Sequence, residues 1–247
     1  MFMSNTVVII PARLEAKRFP NKPLKLIKKK EMILHVHDLA IKSGVGKVLV
    51  VTPDQSIFKL VKDHGGNSFL STNNHETGTD RVYEAFKIFY SSKPSIIINL
   101  QGDMPNLDPS TIVQLNQYLQ EGSCDIATFA SSIKNQSEIQ NPNIVKVITK
   151  NNIEKSKFSE ALDFKRQSLK SEDKFFFHHI GIYGFTSQAL SKYVNLERSN
   201  LEIDRKLEQM RALENKMKIH VVHTESSPLG VDTEADLEEI RKIMEKN

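Results

Sequence analysis

Cysteine is almost missing from this chain: Cys124 is the only one in 247 residues. No disulfide can form within the chain, so a reducing compartment is expected and the protein is read as cytoplasmic. A catalytic thiol is not expected either. Cys124 lies between "EGS" and a strand-like "DIATFA", with no histidine motif beside it. Long hydrophobic runs are also missing. The opening "MFMSNTVVII" is too short an apolar run for a secretory signal and lacks a positive leading segment. No stretch approaches the roughly 20 apolar residues of a membrane span, and no stable membrane association is expected. Charge of one sign is in small excess only: 34 Lys and Arg face 30 Asp and Glu, for a net charge of +4. The densest basic patch is "KKK" at 28–30, and such short runs are ordinarily solvated turns. Phosphate-backbone binding shows a basic stripe, so nucleic acid is not an expected partner. Repeats and low-complexity linkers are absent.

Three familiar motifs fail on inspection. Gly46-Lys47 resembles the end of a Walker A loop, but Ile41 stands at the upstream glycine position and Val48 replaces Ser/Thr. Gly44 and Gly46 precede a strand instead of following one, which excludes a dinucleotide fingerprint. His75-Glu76 opens like a zinc-protease motif, but Thr79 stands where the second histidine should be.

What is present is an alternation. Short β-branched runs at 6–10, 47–51, 67–70, 95–99, 125–130, 144–149, 178–185 and 218–223 read as buried strands. Between the early ones lie amphipathic helices. Met32, Val36, Leu39 and Ala40 share one helical face. So do Ile57, Leu60, Val61 and His64, and Val82, Ala85, Phe86 and Phe89. Gly44 and Gly65 read as helix stops. Asp108-Pro109 reads as a helix start, and Thr233 with Asp236 as a capping box. The fold class is therefore α/β, with a mainly parallel sheet covered by helices on both faces. The stretch 131–175 is more polar and less periodic, and reads as an insertion, a lid or a second subdomain.

In open sheets of this kind ligands bind beyond the carboxyl ends of strands. The first such end carries Pro11, Ala12, Arg13, Lys17, Arg18 and Lys22, opposed only by Glu15. Four cations on a loop stiffened by Pro20 and Pro23 suit an anion, and arginine can grip a phosphate with two parallel bonds. The second end leads to "HETGTDR" (75–81), where Thr77, Gly78, Thr79 and Arg81 open a helix and offer donors to a base or sugar. The third is "LQGDMP" (100–105), which places Gln101, Gly102 and Asp103 at a strand's mouth. Asp232 in "GVDTEAD" stands just before the last helix. A carboxylate facing a phosphate-binding loop suits a bridging Mg²⁺; a turn aspartate and a helix-cap acid are the plainer readings. Of His178 and His179, adjacent on a strand, at most one faces a pocket.

The segments "PARLEAKRFPNKPL", "HETGTDR", "LQGDMP", "NPNIVKV", "HHIGIYGF", "LEQMRAL" and "GVDTEADLE" occur in this order and span nearly the whole chain. Together they resemble the CMP-KDO synthetases, the 3-deoxy-manno-octulosonate (KDO) cytidylyltransferases of lipopolysaccharide synthesis. The resemblance implies a three-layer αβα, nucleotide-diphospho-sugar transferase-like fold with a small dimerisation extension. It implies a single cytidylyltransferase domain over 1–247, with the sugar-binding and dimerisation part inserted at approximately 131–217. It also implies a homodimer and a Mg²⁺-dependent reaction: CTP and KDO give CMP-KDO and pyrophosphate, the anomeric hydroxyl attacking the α-phosphate. On this resemblance Arg13, Arg18 and Lys22 hold the triphosphate, and Asp103 and Asp232 are the metal ligands. Arg13, Lys22, Asp103 and Asp232 form the catalytic set. Pro11, Ala12, Thr77, Gly78, Thr79, Arg81 and Gln101 lie in cytidine-binding segments, and His179, Tyr183, Glu208 and Gln209 match the sugar side.

The chain departs from the family pattern at five places. Ala16 stands for Ser, Met104 for Glu, Glu160 for Arg, His178 for Arg and Arg205 for Glu. The sugar-side changes leave open a modified KDO, another 2-keto sugar acid such as a nonulosonate, or a catalytically silent nucleotide-binding homologue. Glu160 and Arg205 look like an exchange of Arg and Glu; if the two residues touch, a structural pair has simply swapped its charges.

Overall fold

The computed structural model describes residues 5–15, 18–90, 94–122, 124–166 and 173–246. It is a mixed α/β structure of two compact units, Met1–Gln114 with Pro228–Asn247, and Leu115–Ser227.

Among the described residues the first unit is built on four parallel strands, with a separate antiparallel pair, Leu26–Ile27 and Lys30–Glu31. Thr6–Pro11 is buried at every position. It pairs on one side with Lys47–Thr52 (Ile9 opposite Leu49) and on the other with Ile96–Leu100 (Val7 opposite Ile97). Ser68–Leu70 adds outside Lys47–Thr52. Val8, Ile9, Ile10, Leu49, Ile97 and Ile98 are fully buried, as parallel strands covered on both faces require. The helices Met32–Ser43, Gln55–Asp63, Gly78–Phe89 and Glu234–Glu245 belong to this unit. Gly44 ends the first in the left-handed conformation, at φ 66°, which glycine adopts without steric cost. Thr233 and Asp236 form the full capping box of the last. Asp108 Oδ1 accepts from Ser110 N at 2.8 Å where Pro109–Gln120 begins. His64, expected on the apolar stripe of its helix, instead turns toward Asp38.

Strand order fixes where a ligand can enter this unit. From Thr6–Pro11 the chain builds outward to Lys47–Thr52 and Ser68–Leu70. It then returns to lay Ile96–Leu100 on the other side. The order reverses between Thr6–Pro11 and Ile96–Leu100, and in open sheets ligands bind at the carboxyl ends of strands at such a reversal. The loops from Pro11 and from Gln101 both leave from that point.

Among the described residues the second unit holds five strands. Ile126–Ser131 runs antiparallel to Phe176–Thr186 and parallel to Ile219–His223. Phe158–Lys165 lies antiparallel to Ile219–His223, and Lys146–Thr149 pairs with both Phe158–Lys165 and Phe176–Thr186, so the ladder closes on itself. The strand Phe158–Lys165 was not expected from the sequence. In Phe176–Thr186 the register slips between Ile180 and Tyr183. Thr128 stitches this bulge: its Oγ1 donates to Ile182 O at 2.7 Å, with Ile180 O at 3.1 Å.

Candidate functional site

The cationic loop begins as an extension of the sheet. Ala12 N donates to Val51 O at 2.9 Å, Leu14 N to Asp54 Oδ2 at 2.8 Å, and Asn21 N to Leu14 O at 3.0 Å. These bonds fold the loop back and deliver the short helix Lys22–Leu24. Lys22 then reaches three acceptors. Its Nζ lies 2.9 Å from Asp103 Oδ2, 3.2 Å from Asp232 Oδ1 and 2.9 Å from Val231 O. Burial alone would lower the Lys22 pKa, but Asp103 and Asp232 outweigh it and raise the value above the ordinary one. Arg18 reaches the other oxygen of Asp232 at 2.9 Å. Arg13 is exposed at the loop's start, while Pro11 and Ala12 are buried. Ala16 and Lys17 lie outside the described residues.

The two carboxylates arrive from distant parts of the sequence, Asp103 after the strand Ile96–Leu100 and Asp232 just before the last helix. Val231 N donates to Asp103 O at 2.9 Å, which ties their loops together. Asp232 N and Thr233 N both donate to the capping carboxylate of Asp236. Gly102 sits close to its neighbours: a Cβ there would stand 3.3 Å from both Pro11 O and Ile33 Cδ1, so a side chain would require them to give by a few tenths of an ångström. The result is two carboxylates and two cations at the carboxyl ends of parallel strands. Two hard oxygen donors brought together by an ammonium are a donor set that fits Mg²⁺.

The second group lines the helix start. Thr77 is the N-cap of Gly78–Phe89. Asn99 Nδ2 donates to Thr79 Oγ1 at 3.1 Å, and Gln101 Nε2 donates to Asn99 Oδ1 at 3.0 Å. Asn99 thus joins two expected nucleotide residues. Its signal was a polar residue in the apolar run "IIINL". Arg81 is buried. The loop before it is anchored on Glu84, which accepts from Ser71, from Asn73 Nδ2 at 2.6 Å and from His75 Nε2 at 2.8 Å. Burial would raise the Glu84 pKa; the bonds from Ser71, His75 and Asn73 hold it below the usual glutamate value.

In the second unit, His179 and Tyr183 lie with ring centroids 5.4 Å apart. Burial pushes the His179 pKa down to about 3, so the ring is neutral at ordinary pH, and Thr128 Oγ1 lies 3.0 Å from its Nε2. The Tyr183 hydroxyl is buried with no hydrogen-bond partner among the described residues. Burial first, then the charge of Glu208, raises its pKa well above the tyrosine value. Glu208 O accepts from Tyr193 Oη at 2.8 Å, and Gln209 beside it is buried. His178 faces elsewhere: its Nδ1 lies 3.3 Å from Glu138 Oε2.

Glu160 and Arg205 do not pair. Glu160 meets Lys150 at 3.8 Å and Lys218 at 3.6 Å. Arg205 donates instead to Asp163 Oδ1 and, at 2.9 Å, to Phe164 O. The expected exchange of charges is corrected: Glu160 meets two lysines, and Arg205 pairs with Asp163, three positions beyond Glu160 on the same strand.

Comparison with known proteins agrees with the ordered motifs. The family pattern described as "Cytidylyltransferase" matches residues 7–219. A 3-deoxy-manno-octulosonate cytidylyltransferase of Brucella ovis is 41% identical over 237 residues, covering 96% of this chain and 94% of its own. One from Bartonella tribocorum is 40% identical over 243 residues, covering 96% and 98%. The solved structure of a CMP:2-keto-3-deoxy-manno-octonic acid synthetase complexed with CTP superposes with a TM-score of 0.84. Its identity is 32%, and 98% of each chain is covered. A cytidylyltransferase structure from Leptospira borgpetersenii, at 17% identity and a TM-score of 0.66, shares the fold. The chain belongs to the cytidylyltransferase family, among the CMP-KDO synthetases.

Proposed function

We propose that the protein transfers a cytidylyl group from CTP to KDO, releasing pyrophosphate and supplying CMP-KDO for lipopolysaccharide synthesis. The observation that carries this reading is the meeting of Arg18, Lys22, Asp103 and Asp232 at the carboxyl ends of the parallel strands. Arg13, Arg18 and Lys22 bind the triphosphate, and their charge offsets the charge that develops as pyrophosphate leaves. Pro11, Ala12, Thr77, Gly78, Thr79, Arg81 and Gln101 take the cytidine. Asn99 holds Thr79 and Gln101 in place for it.

Asp103 and Asp232 are the residues that would hold Mg²⁺; when bound, the ion screens the phosphates and lowers the pKa of a coordinated hydroxyl. On the sugar side we assign His179, Tyr183, Glu208 and Gln209. The unpartnered Tyr183 hydroxyl is a donor waiting for a sugar oxygen, since buried polar groups otherwise find partners. Positioning and electrostatics supply the catalysis, as in other phosphoryl transfers.

The enzyme is read as a cytoplasmic homodimer with a three-layer αβα body, the dimerisation extension lying within about 131–217. No helix among the described residues is long and apolar enough to cross a membrane.

The test is pyrophosphate release from CTP and Mg²⁺ with freshly prepared KDO and a panel of related 2-keto sugar acids. Release with KDO is expected. Release only with another acid would move the specificity, and CTP binding with no release from any acid would overturn the catalytic reading.

A further inference from the structure

Two helices of the parallel-strand unit bring three metal-ligating side chains to one point. His37 Nδ1 lies 3.2 Å and His64 Nε2 2.9 Å from the same oxygen, Oδ1 of Asp38. One ligand atom from each of the three residues falls within 4.8 Å of the others. The imidazoles approach from different directions, with centroids 5.8 Å apart and planes 80° apart. None of the three residues belongs to the constellation assigned to CTP or the sugar.

The spacing suits a small ion. Ligands about 2.1 Å from a tetrahedral zinc ion stand about 3.4 Å apart. The observed 2.9 and 3.2 Å separations are slightly shorter, so a modest outward movement of the side chains would admit an ion. The donor set is also selective. Two imidazoles and a carboxylate suit zinc or its neighbours, whereas Mg²⁺ takes oxygen ligands. His37 is buried, but the His64 and Asp38 side chains are about one-third exposed, at 33% and 29%. The cluster is therefore partly accessible from solvent.

The surroundings hold the three ligands in place. Lys30 Nζ donates to the other oxygen of Asp38, Oδ2, at 2.5 Å. This fixes the carboxylate and leaves Oδ1 to the histidines, as outer-shell partners of metal ligands do. The His37 ring is set by packing. A Cβ on Gly66 would stand 2.7 Å from His37 Nε2, so only glycine lets the ring lie there with Nδ1 toward Asp38. Gly66 N donates to Val61 O at 2.9 Å, which places that glycine beside the end of the second helix.

We propose that His37, Asp38 and His64 bind a divalent transition-metal ion of the zinc class, which staples helix Met32–Ser43 to the end of helix Gln55–Asp63. The full chain is stripped with a chelator and titrated with Co²⁺ in excess Mg²⁺, which keeps oxygen-only sites occupied. One equivalent of Co²⁺ is expected to give the visible absorption of a tetrahedral site and to be displaced by one equivalent of Zn²⁺. Zinc is expected to raise the thermal midpoint, since it binds the folded chain preferentially. H64Q, at a partly exposed position, and D38N are each expected to weaken zinc binding by at least about tenfold. Absence of saturable Co²⁺ absorption, or zinc binding by H64Q and D38N as tight as by the parent chain, overturns the proposal.

Discussion

Lys22 Nζ lies 2.9 Å from Asp103 Oδ2, across 81 residues of sequence. The same ammonium lies 3.2 Å from Asp232 Oδ1, so one cation holds together two carboxylates that would otherwise repel. Lys22 therefore keeps Asp103 and Asp232 aligned, and in the proposed reaction it also binds phosphate. Lys22→Met is expected to lower kcat/KM for CTP by about 10²–10³, the range for loss of one charge-stabilising donor. Lys22→Arg should recover little, because the planar fork of arginine does not copy a compact ammonium. Initial rates over a range of CTP concentrations check both.

Burial sets a second expectation. Neutral His179, with a pKa near 3 against 6.5 in an unfolded chain, binds fewer protons folded than unfolded between those values. Stability therefore rises with pH across that window and falls as acid is added. The His179 contribution approaches about 1.4 kcal/mol per pH unit at its steepest. H179Q keeps a donor near Thr128 without the titrating ring. Its denaturation midpoint is expected to change less between pH 6 and pH 4 than that of the parent. An unchanged slope would assign the acid sensitivity to other groups.

How much of this was legible in the sequence depended on distance along the chain and on regularity. Thr6–Pro11, Lys47–Thr52 and Ile96–Leu100 were readable because strands buried on both faces are near-continuous β-branched runs. Phe158–Lys165 was not. Its buried residues are Ser159, Ala161 and Phe164, and the step from 161 to 164 breaks the two-residue period. The break falls where the register against Ile148 and Thr149 shifts. The same irregularity explains Arg205: nothing local marks Asp163, rather than Glu160, as its partner. Lys22, Asp103 and Asp232 share no local pattern either; the family resemblance connected them before the geometry did. Asn99 and Glu84 were missed as organisers because each acts through other side chains.

The pair Arg211–Glu202 makes a separate stability test. Both side chains are nearly fully buried, Arg211 Nε and Nη2 each lie 2.8 Å from a Glu202 oxygen, and the guanidinium sits 4.7 Å from the Tyr193 ring centre. Arg211→Met leaves a buried carboxylate partly uncompensated, and such losses cost about 3–5 kcal/mol. Arg198, 3.0 Å from Glu202 Oε1, remains and should hold the loss near the lower end. E202Q combined with R211M should restore part of it, because the stranded charge is gone. Urea unfolding of the two single variants and the double variant measures the coupling.

Tyr183 separates binding from folding. Its hydroxyl is buried and unpartnered among the described residues, and an unsatisfied buried polar group costs about 1–3 kcal/mol. Tyr183→Phe removes that group at almost constant volume, so the free enzyme is expected to become more stable by about 1 kcal/mol. If the hydroxyl donates to the sugar acid, the same change should raise KM for that substrate about tenfold, the equivalent of one hydrogen bond of roughly 1.4 kcal/mol. KM for CTP should stay near its parent value. A higher thermal midpoint with a weaker sugar interaction would show that the orphaned hydroxyl is a binding group kept at a cost to the fold. A higher midpoint with KM unchanged would remove Tyr183 from the sugar site.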